Sequence, residues 1–196
     1  MNNHHTFDIM DIYVKYNFEV LCNKILAEQM TKFKIKYSLK GMGCVQLSSE
    51  LSSEKYNSLL AELNKYGIRV IYDPKVIMVQ KIKDAVLHIL HEDNKMPVVK
   101  ISAYLSDTLN ESYRTLAQTF SEICYISIES FIIMHKIEIA KQLLGSNTVT
   151  LTEIAYRLNY SSVAHLSNQF KKVTGLTPTS FGKIITRKRK RKIITT

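Results

Sequence analysis

The chain repeats itself at a spacing of 50 residues. Leu116-Ala117-Gln118-Thr119-Phe120 returns as Leu166-Ser167-Asn168-Gln169-Phe170. Further along, Ile123 corresponds to Val173, Ile126 to Leu176, Ser127 to Thr177, and Ser130-Phe131 to Ser180-Phe181. Sequence repeated at a fixed period is one supersecondary unit built twice. The two copies must share a frame, so function resides in what each presents on its outer face.

Each copy reads as a short helix, a tight turn and a longer helix. In the second, Ile154, Ala155 and Leu158 form the apolar side of the short helix, and Asn159-Tyr160-Ser161 makes the turn. Asparagine tolerates the left-handed conformation such a turn needs. In the first, Leu105, Ser106 and Leu109 precede Asn110-Glu111-Ser112. A small residue, Ser106 or Ala155, lets two helices cross steeply over a short connection. This is the helix-turn-helix pattern.

Helical spacing directs Leu116, Phe120 and Ile123, and likewise Leu166, Phe170 and Val173, inward. Arg114, Gln118 and Ser121 then point outward, flanked by Thr115 and Ala117. In the second copy Ala164, Asn168 and Lys171 point outward, flanked by His165, Ser167 and Lys172. Arg, Gln and Asn carry donors and acceptors that match base edges in the major groove, and Ala164 can touch a thymine methyl. The bland alternative is a solvated helix surface. Presentation of such a face twice, beside strong positive charge, favours a nucleic-acid reader.

The charge is segregated. Residues 1–78 carry 10 Lys/Arg and 8 Asp/Glu, and residues 79–196 carry 17 and 9. After Glu153 there is no acidic residue, against 10 basic ones. This asymmetry points to an anionic polymer as partner, the alternative for the tail being solubility alone. Lys171, Lys172, Lys183 and the run Arg187–Lys192, Lys188 and Lys190 included, suit phosphate contacts, which set register without reading sequence. The polar amino terminus gives no expectation of a signal peptide. No apolar run approaches the ~18 residues that would span a membrane. Cys22, Cys44 and Cys124 form no CxxC pair, which suits free thiols in a reducing cytoplasm.

The amino-terminal part predicts an α/β domain over residues 1–75. Ile12, Val14 and Tyr16 alternate as a strand does, and Phe18 to Met30 form a helix stripe. Phe33, Ile35, Tyr37 and Leu39 alternate again, and Lys40-Gly41-Met42-Gly43 turns into Cys44–Leu47. Tyr56, Leu59, Leu60 and Leu63 make a second helix that Gly67 ends, and Ile68–Tyr72 reads as a last strand. The order β-α-β-β-α-β predicts a ferredoxin-like sandwich, and an α+β fold class for the chain. Asp73-Pro74 marks the boundary. An all-α domain of seven helices is expected over 76–186, at about 79–90, 100–109, 112–123, 129–144, 151–158, 162–174 and 178–186, with a basic tail over 187–196. Gly145 ends the long middle helix, and Thr150-Leu151-Thr152-Glu153 is a capping box.

The segment Ile154-Ala155-Tyr156-Arg157-Leu158-Asn159-Tyr160, followed by Phe170-Lys171-Lys172 and Gly175-Leu176-Thr177-Pro178, resembles the signature of the AraC/XylS-type transcription regulators. The resemblance covers roughly residues 79–186. It implies two helix-turn-helix units joined by a helix near Ser130–Leu144, in which Lys136, Ala140 and Leu143-Leu144 occupy its basic and apolar marks. It also implies insertion of both longer helices into adjacent major-groove segments. By position, Arg114, Thr115, Ala117 and Gln118 would read bases in the first segment, and Val163, Ala164, His165, Ser167 and Asn168 in the second. Ser112, Ser162, Lys171, Lys172, Arg187, Lys188 and Lys190 would hold phosphates. Three departures stand out: Asn159 replaces a turn glycine, Asn168 an outward arginine, and Tyr125 the glycine found at 175. Ser121-Glu122 also replaces the basic pair, so weaker binding by the first copy is expected.

The expected function is that of a sequence-specific DNA-binding transcription regulator in the cytoplasm. Its partners would be double-stranded promoter DNA and RNA polymerase or another regulator, with a homodimer through the amino-terminal domain and no membrane. The alternative is a non-specific nucleic-acid or nucleoid-type binder, for which a specificity ratio under ~10³ would speak. No cofactor, metal or catalytic residue is expected. The amino-terminal domain loosely resembles the heavy-metal-associated fold, but only Cys22 is near the family's cysteine pair, among apolar neighbours. His88 and His91 lack a third ligand. An alkyl-transferring DNA repair enzyme would need an activated thiolate, and none of the three cysteines has His or Arg beside it in sequence.

Overall fold

The computed structural model describes residues 14, 17–40, 43–91, 100–146 and 148–194. The chain divides into two compact units between Val70 and Ile71.

In the first unit a two-stranded hairpin sits between two helices. Helix α1 (Phe18–Lys32) starts at Asn17, whose side chain accepts from the Val20 amide. Strands β1 (Tyr37–Leu39) and β2 (Val45–Leu47) pair antiparallel, with Tyr37 opposite Leu47 and Leu39 opposite Val45. Helix α2 (Ser53–Lys65) is capped by Ser52, which accepts from the Lys55 amide. Leu26 and Met30 of α1, Ile35, and Leu59 and Leu63 of α2 are buried together. Glu62 joins the two helices on the surface through Lys32, and its bonds with Lys65 and Lys32 hold its carboxyl below the usual range.

This is not the ferredoxin-like β-α-β-β-α-β sandwich that the alternation predicts, and the α+β assignment falls with it. Among the described residues there are two strands, in one sheet, and nine helices. The expected strand at Ile12–Tyr16 lies outside the described residues apart from Val14, which is exposed. Lys34 takes a positive φ of 53°, so the strand expected from Phe33 begins only at Tyr37. Gly67, at φ 73°, ends α2 by letting the Ile68 amide return to the Leu63 carbonyl. Val70, Ile71 and Tyr72 beyond it lie exposed and outside any strand. Alternation over five residues is satisfied by an extended connector when no sheet edge receives it.

The second unit holds α3 (Pro74–His91), α4 (Ile101–Leu109), α5 (Tyr113–Cys124), α6 (Ile128–Ser146), α7 (Leu151–Arg157), α8 (Val163–Thr174) and α9 (Pro178–Ile194). Pro74 is the first helical residue of α3 rather than a break, as suits a ring that fixes φ and needs no donor there. The Asp73 carboxylate accepts from the Lys75 amide at 2.8 Å. Helix α6 runs on through Gly145, and α9 continues eight residues past its expected end at 186, through the basic run.

Two cores share α6. Val79, Ile82, Val86 and Ile89 of α3 pack with Leu105, Leu116, Phe120, Ile128, Phe131 and Ile132. Ile137 and Ala140, further along α6, pack with Ile154, Ala155, Leu158, Leu166 and Phe170. The repeat is visible in the packing: Phe120 meets Phe131 edge-on at 5.5 Å, and Phe170 meets Phe181 likewise at 5.5 Å.

Candidate nucleic-acid interface

Each short helix ends on an asparagine in the left-handed region, Asn110 at φ 53° and Asn159 at φ 52°. The next amide in each case returns five residues, Glu111 to the Ser106 carbonyl and Tyr160 to that of Ala155. This Schellman-type closure makes Ser106 and Ala155 equivalent, at an offset of 49. A serine then caps each longer helix. Ser112 accepts from the Thr115 amide at 3.1 Å, and Ser162 from the His165 amide at 3.0 Å. The second turn is therefore one residue longer, and the extra residue is Ser161.

From 111 to 120 and from 161 to 170 the sequence of exposed and buried positions is identical. Leu116, Phe120, Leu166 and Phe170 are fully buried. Arg114, Thr115 and Gln118 are exposed on α5, as are Ala164, His165 and Asn168 on α8. Ala117, Val163 and Ser167 are half-buried at the margins of these faces. Ser112 and Ser162 are exposed, though each side chain also serves its helix as a cap. Lys171 and Lys172 are exposed in the last turn of α8. Arg187 is exposed on α9, whose backbone also carries 188 and 190.

One inward assignment fails. Val173 is 43% exposed, whereas its counterpart Ile123 packs on the first core. Val173 lines a cavity of about 220 Å³ between α6 and α8, together with Ile133, Met134 and Gln169 among others.

Sequence reasoning missed a cluster beside α8. The Lys136 ammonium lies 5.2 Å from the centre of the Tyr160 ring. That ring meets His165 edge-on at 5.1 Å. The Tyr160 hydroxyl donates to Gln169 Oε1 at 3.4 Å, and Ser161 Oγ lies 3.0 Å from His165 Nδ1. Burial pushes the Tyr160 phenol up to about 12 and lowers Lys136 below the usual lysine range. The first helix-turn-helix has a different brace: the Tyr113 hydroxyl donates to Glu129, which depresses that carboxyl, while burial first and then this bond raise the phenol. The only advance signal was the aromatic residue in the second turn.

The termini differ too. Tyr125 ends α5 at φ 58° and is 90% exposed, where Gly175 ends α8 at φ 77°. Glu122, in the place of Lys172, pairs with Lys75 at 2.7 Å. Thr150 and Glu153 complete the capping box of α7, and hydrogen bonds from Thr150 hold the Glu153 carboxyl low. Among the described residues no three His, Cys, Asp or Glu side chains are placed to hold a metal. No described helix is long and apolar enough to cross a membrane.

A family model described as a helix-turn-helix domain matches residues 105–184. No curated protein matches the chain. Among solved structures, it is similar to a DNA-binding transcriptional dual regulator from Escherichia coli K-12, at 17% identity and a TM-score of 0.48, over 60% of this chain and 98% of that one. It is similar to the C-terminal domain of AraT, a response regulator from Geobacillus stearothermophilus, at 25% identity and 0.45, over 57% and 86%. It is also similar to the DNA-binding domain of AdpA, a global transcriptional factor in complex with a target DNA, at 19% identity and 0.47, over 60% and 97%. Residues 105–184 thus form a helix-turn-helix domain of the AraC type, and the chain is a sequence-specific DNA-binding transcription regulator.

Proposed function

We propose that α5 and α8 enter two successive major-groove segments on one face of promoter DNA. The observation that carries this reading is the matched exposure of the two helices, each held by the same αL asparagine and serine cap. In this arrangement Arg114, Thr115 and Gln118 read bases in one segment, and Ala164, His165 and Asn168 in the other. Ala117, Val163 and Ser167 shape the edges of the contact. Ser112, Ser162, Lys171, Lys172, Arg187, Lys188 and Lys190 lie along the phosphates. The two faces differ in chemistry, so the site is asymmetric.

Binding sites selected from a random DNA pool, followed by footprinting, test this directly. Two protected zones about 10 base pairs apart are expected. One short zone alone would mean a single working unit. Replacing Lys188, Lys190 and Lys192 by glutamine should flatten the salt dependence, its slope falling by about 0.9 for each phosphate left without a cation.

The regulator acts in the cytoplasm, where its DNA lies, and meets RNA polymerase or another regulator there. For the first unit we infer an interaction role, with a second copy of the chain as partner. Phe18, Val20 and Leu21 are exposed on α1, and among the described residues no third strand pairs with the hairpin. Sedimentation of the full chain should show a dimer that Phe18→Ser with Leu21→Ser dissociates.

A further inference from the structure

A cavity of about 540 Å³ lies in the second unit between the end of α6 and the start of α9. Leu144 and Val149 form one side, and Pro178, Gly182, Lys183 and Arg187 the other. The internal repeat gives each α9 residue a counterpart in α6. Pro178 stands for Ile128, and both are fully buried. Gly182 stands for Ile132, which is buried in the first core. Lys183 and Arg187 stand for Ile133 and Ile137, which pack the second core.

The two cations have an ordinary explanation. Both are exposed, and charged side chains are ordinary on the solvent face of a helix. Gly182 has no such explanation, because its counterpart fills its own unit's core. It sits inside a helix, where glycine is unfavourable. It is not among the positive-φ glycines, and a Cβ built on it meets nothing within 4 Å. Neither backbone conformation nor close packing requires it. The missing side chain leaves Leu144 and Val149 half-buried on an open cavity instead of covered.

The chemistry of the opening selects an occupant. Leu144, Val149 and Pro178 give it an apolar part, Thr179 and Thr186 line it as well, and Lys183 and Arg187 stand one helical turn apart on α9, close enough to share one anion. No acidic residue follows Glu153 to neutralise them. The volume lies in the range that small ligands occupy. We propose that this cavity binds a small amphipathic anion, its apolar body against Leu144, Val149 and Pro178 and its carboxylate between Lys183 and Arg187. Such a ligand would bear on the second reader, since α9 contacts α8 through Phe181 and Phe170.

The test is an NMR titration of the isotope-labelled full chain with octanoate, with octanol and inorganic phosphate as controls. Octanoate should shift the Gly182 amide and the Leu144 and Val149 methyls saturably, and each control should bind at least about tenfold more weakly. Gly182→Ile should weaken octanoate at least about tenfold while raising the melting temperature and leaving affinity for the selected DNA unchanged. That last readout separates failure of the ligand site from failure of the DNA-reading model. Lys183→Gln should weaken octanoate but not octanol. The proposal is overturned if octanoate shifts none of these signals, if Gly182→Ile binds it as well as the parent, or if only DNA shifts them.

Discussion

The ring of Phe170 stands edge-on to that of Phe181 at 5.5 Å, joining α8 to α9. Phe120 and Phe131 make the same contact between α5 and α6. Both reader phenylalanines are fully buried, so truncation removes a ring and leaves a hole. Phe170→Ala and Phe120→Ala should each cost about 3–5 kcal/mol in denaturant unfolding. Footprints should then separate them. Phe170→Ala should lose the zone read by α8, and Phe120→Ala that read by α5. Loss of both zones in either variant would show that the units do not fold apart.

Tyr125 holds a left-handed conformation that an L side chain adopts at a cost, and its ring is almost wholly exposed. Tyr125→Gly should therefore stabilise the first helix-turn-helix by about 0.5–1 kcal/mol. A thermal melt of the full chain checks the sign. A lowered melting temperature would mean that the ring makes an interaction worth more than the strain.

Tyr160 has a folded-state pKa of about 12 against an ordinary value of 10.0. A raised pKa contributes stability that is intact below pH 10 and is lost as pH rises toward 12. Difference absorbance should show two phenols, Tyr160 and Tyr113, titrating late, and Tyr160→Phe should remove one of them. Burial likewise disfavours the charge on Lys136. Lys136→Met should therefore be neutral to stabilising, by about 0–1 kcal/mol at pH 7, with removal of the cation–π attraction as the opposing effect.

Gln118 and Asn168 occupy matching exposed positions on the two reader helices. If both read bases, alanine at either should cost about 1–3 kcal/mol and relax preference at one base pair. The affected positions should lie in different zones. A uniform loss across all sequences would assign the side chain to the backbone instead.

The second unit is legible in the sequence because its signals are local and redundant. Thr150 to Glu153 and Ser162 mark helix starts, Asn110 and Asn159 mark turns, and Leu166 with Phe170 fixes the inward face. The first unit misleads where alternation stands without a partner. Residues 68–72 carry the strand pattern, but pairing is a non-local event that five residues do not encode. The Lys136–Tyr160–His165 cluster is hidden for a similar reason, since residues from a helix, a turn and a reader meet only after folding. Val173 shows the converse. Its period is right, but it borders an open cavity beside α6 and stays largely uncovered.

Helix α6 places Phe131 and Ile132 in one core and Ile137 and Ala140 in the other. That makes it a caliper. If α5 and α8 read DNA as proposed, the phase between them is set by residue count along a continuous rod, about 1.5 Å and 100° per residue. A promoter lengthened by one base pair between the zones displaces the second by about 3.4 Å and turns it away. The regulator has no elastic linker with which to follow, so operator spacing should tolerate far less variation than any single base within it.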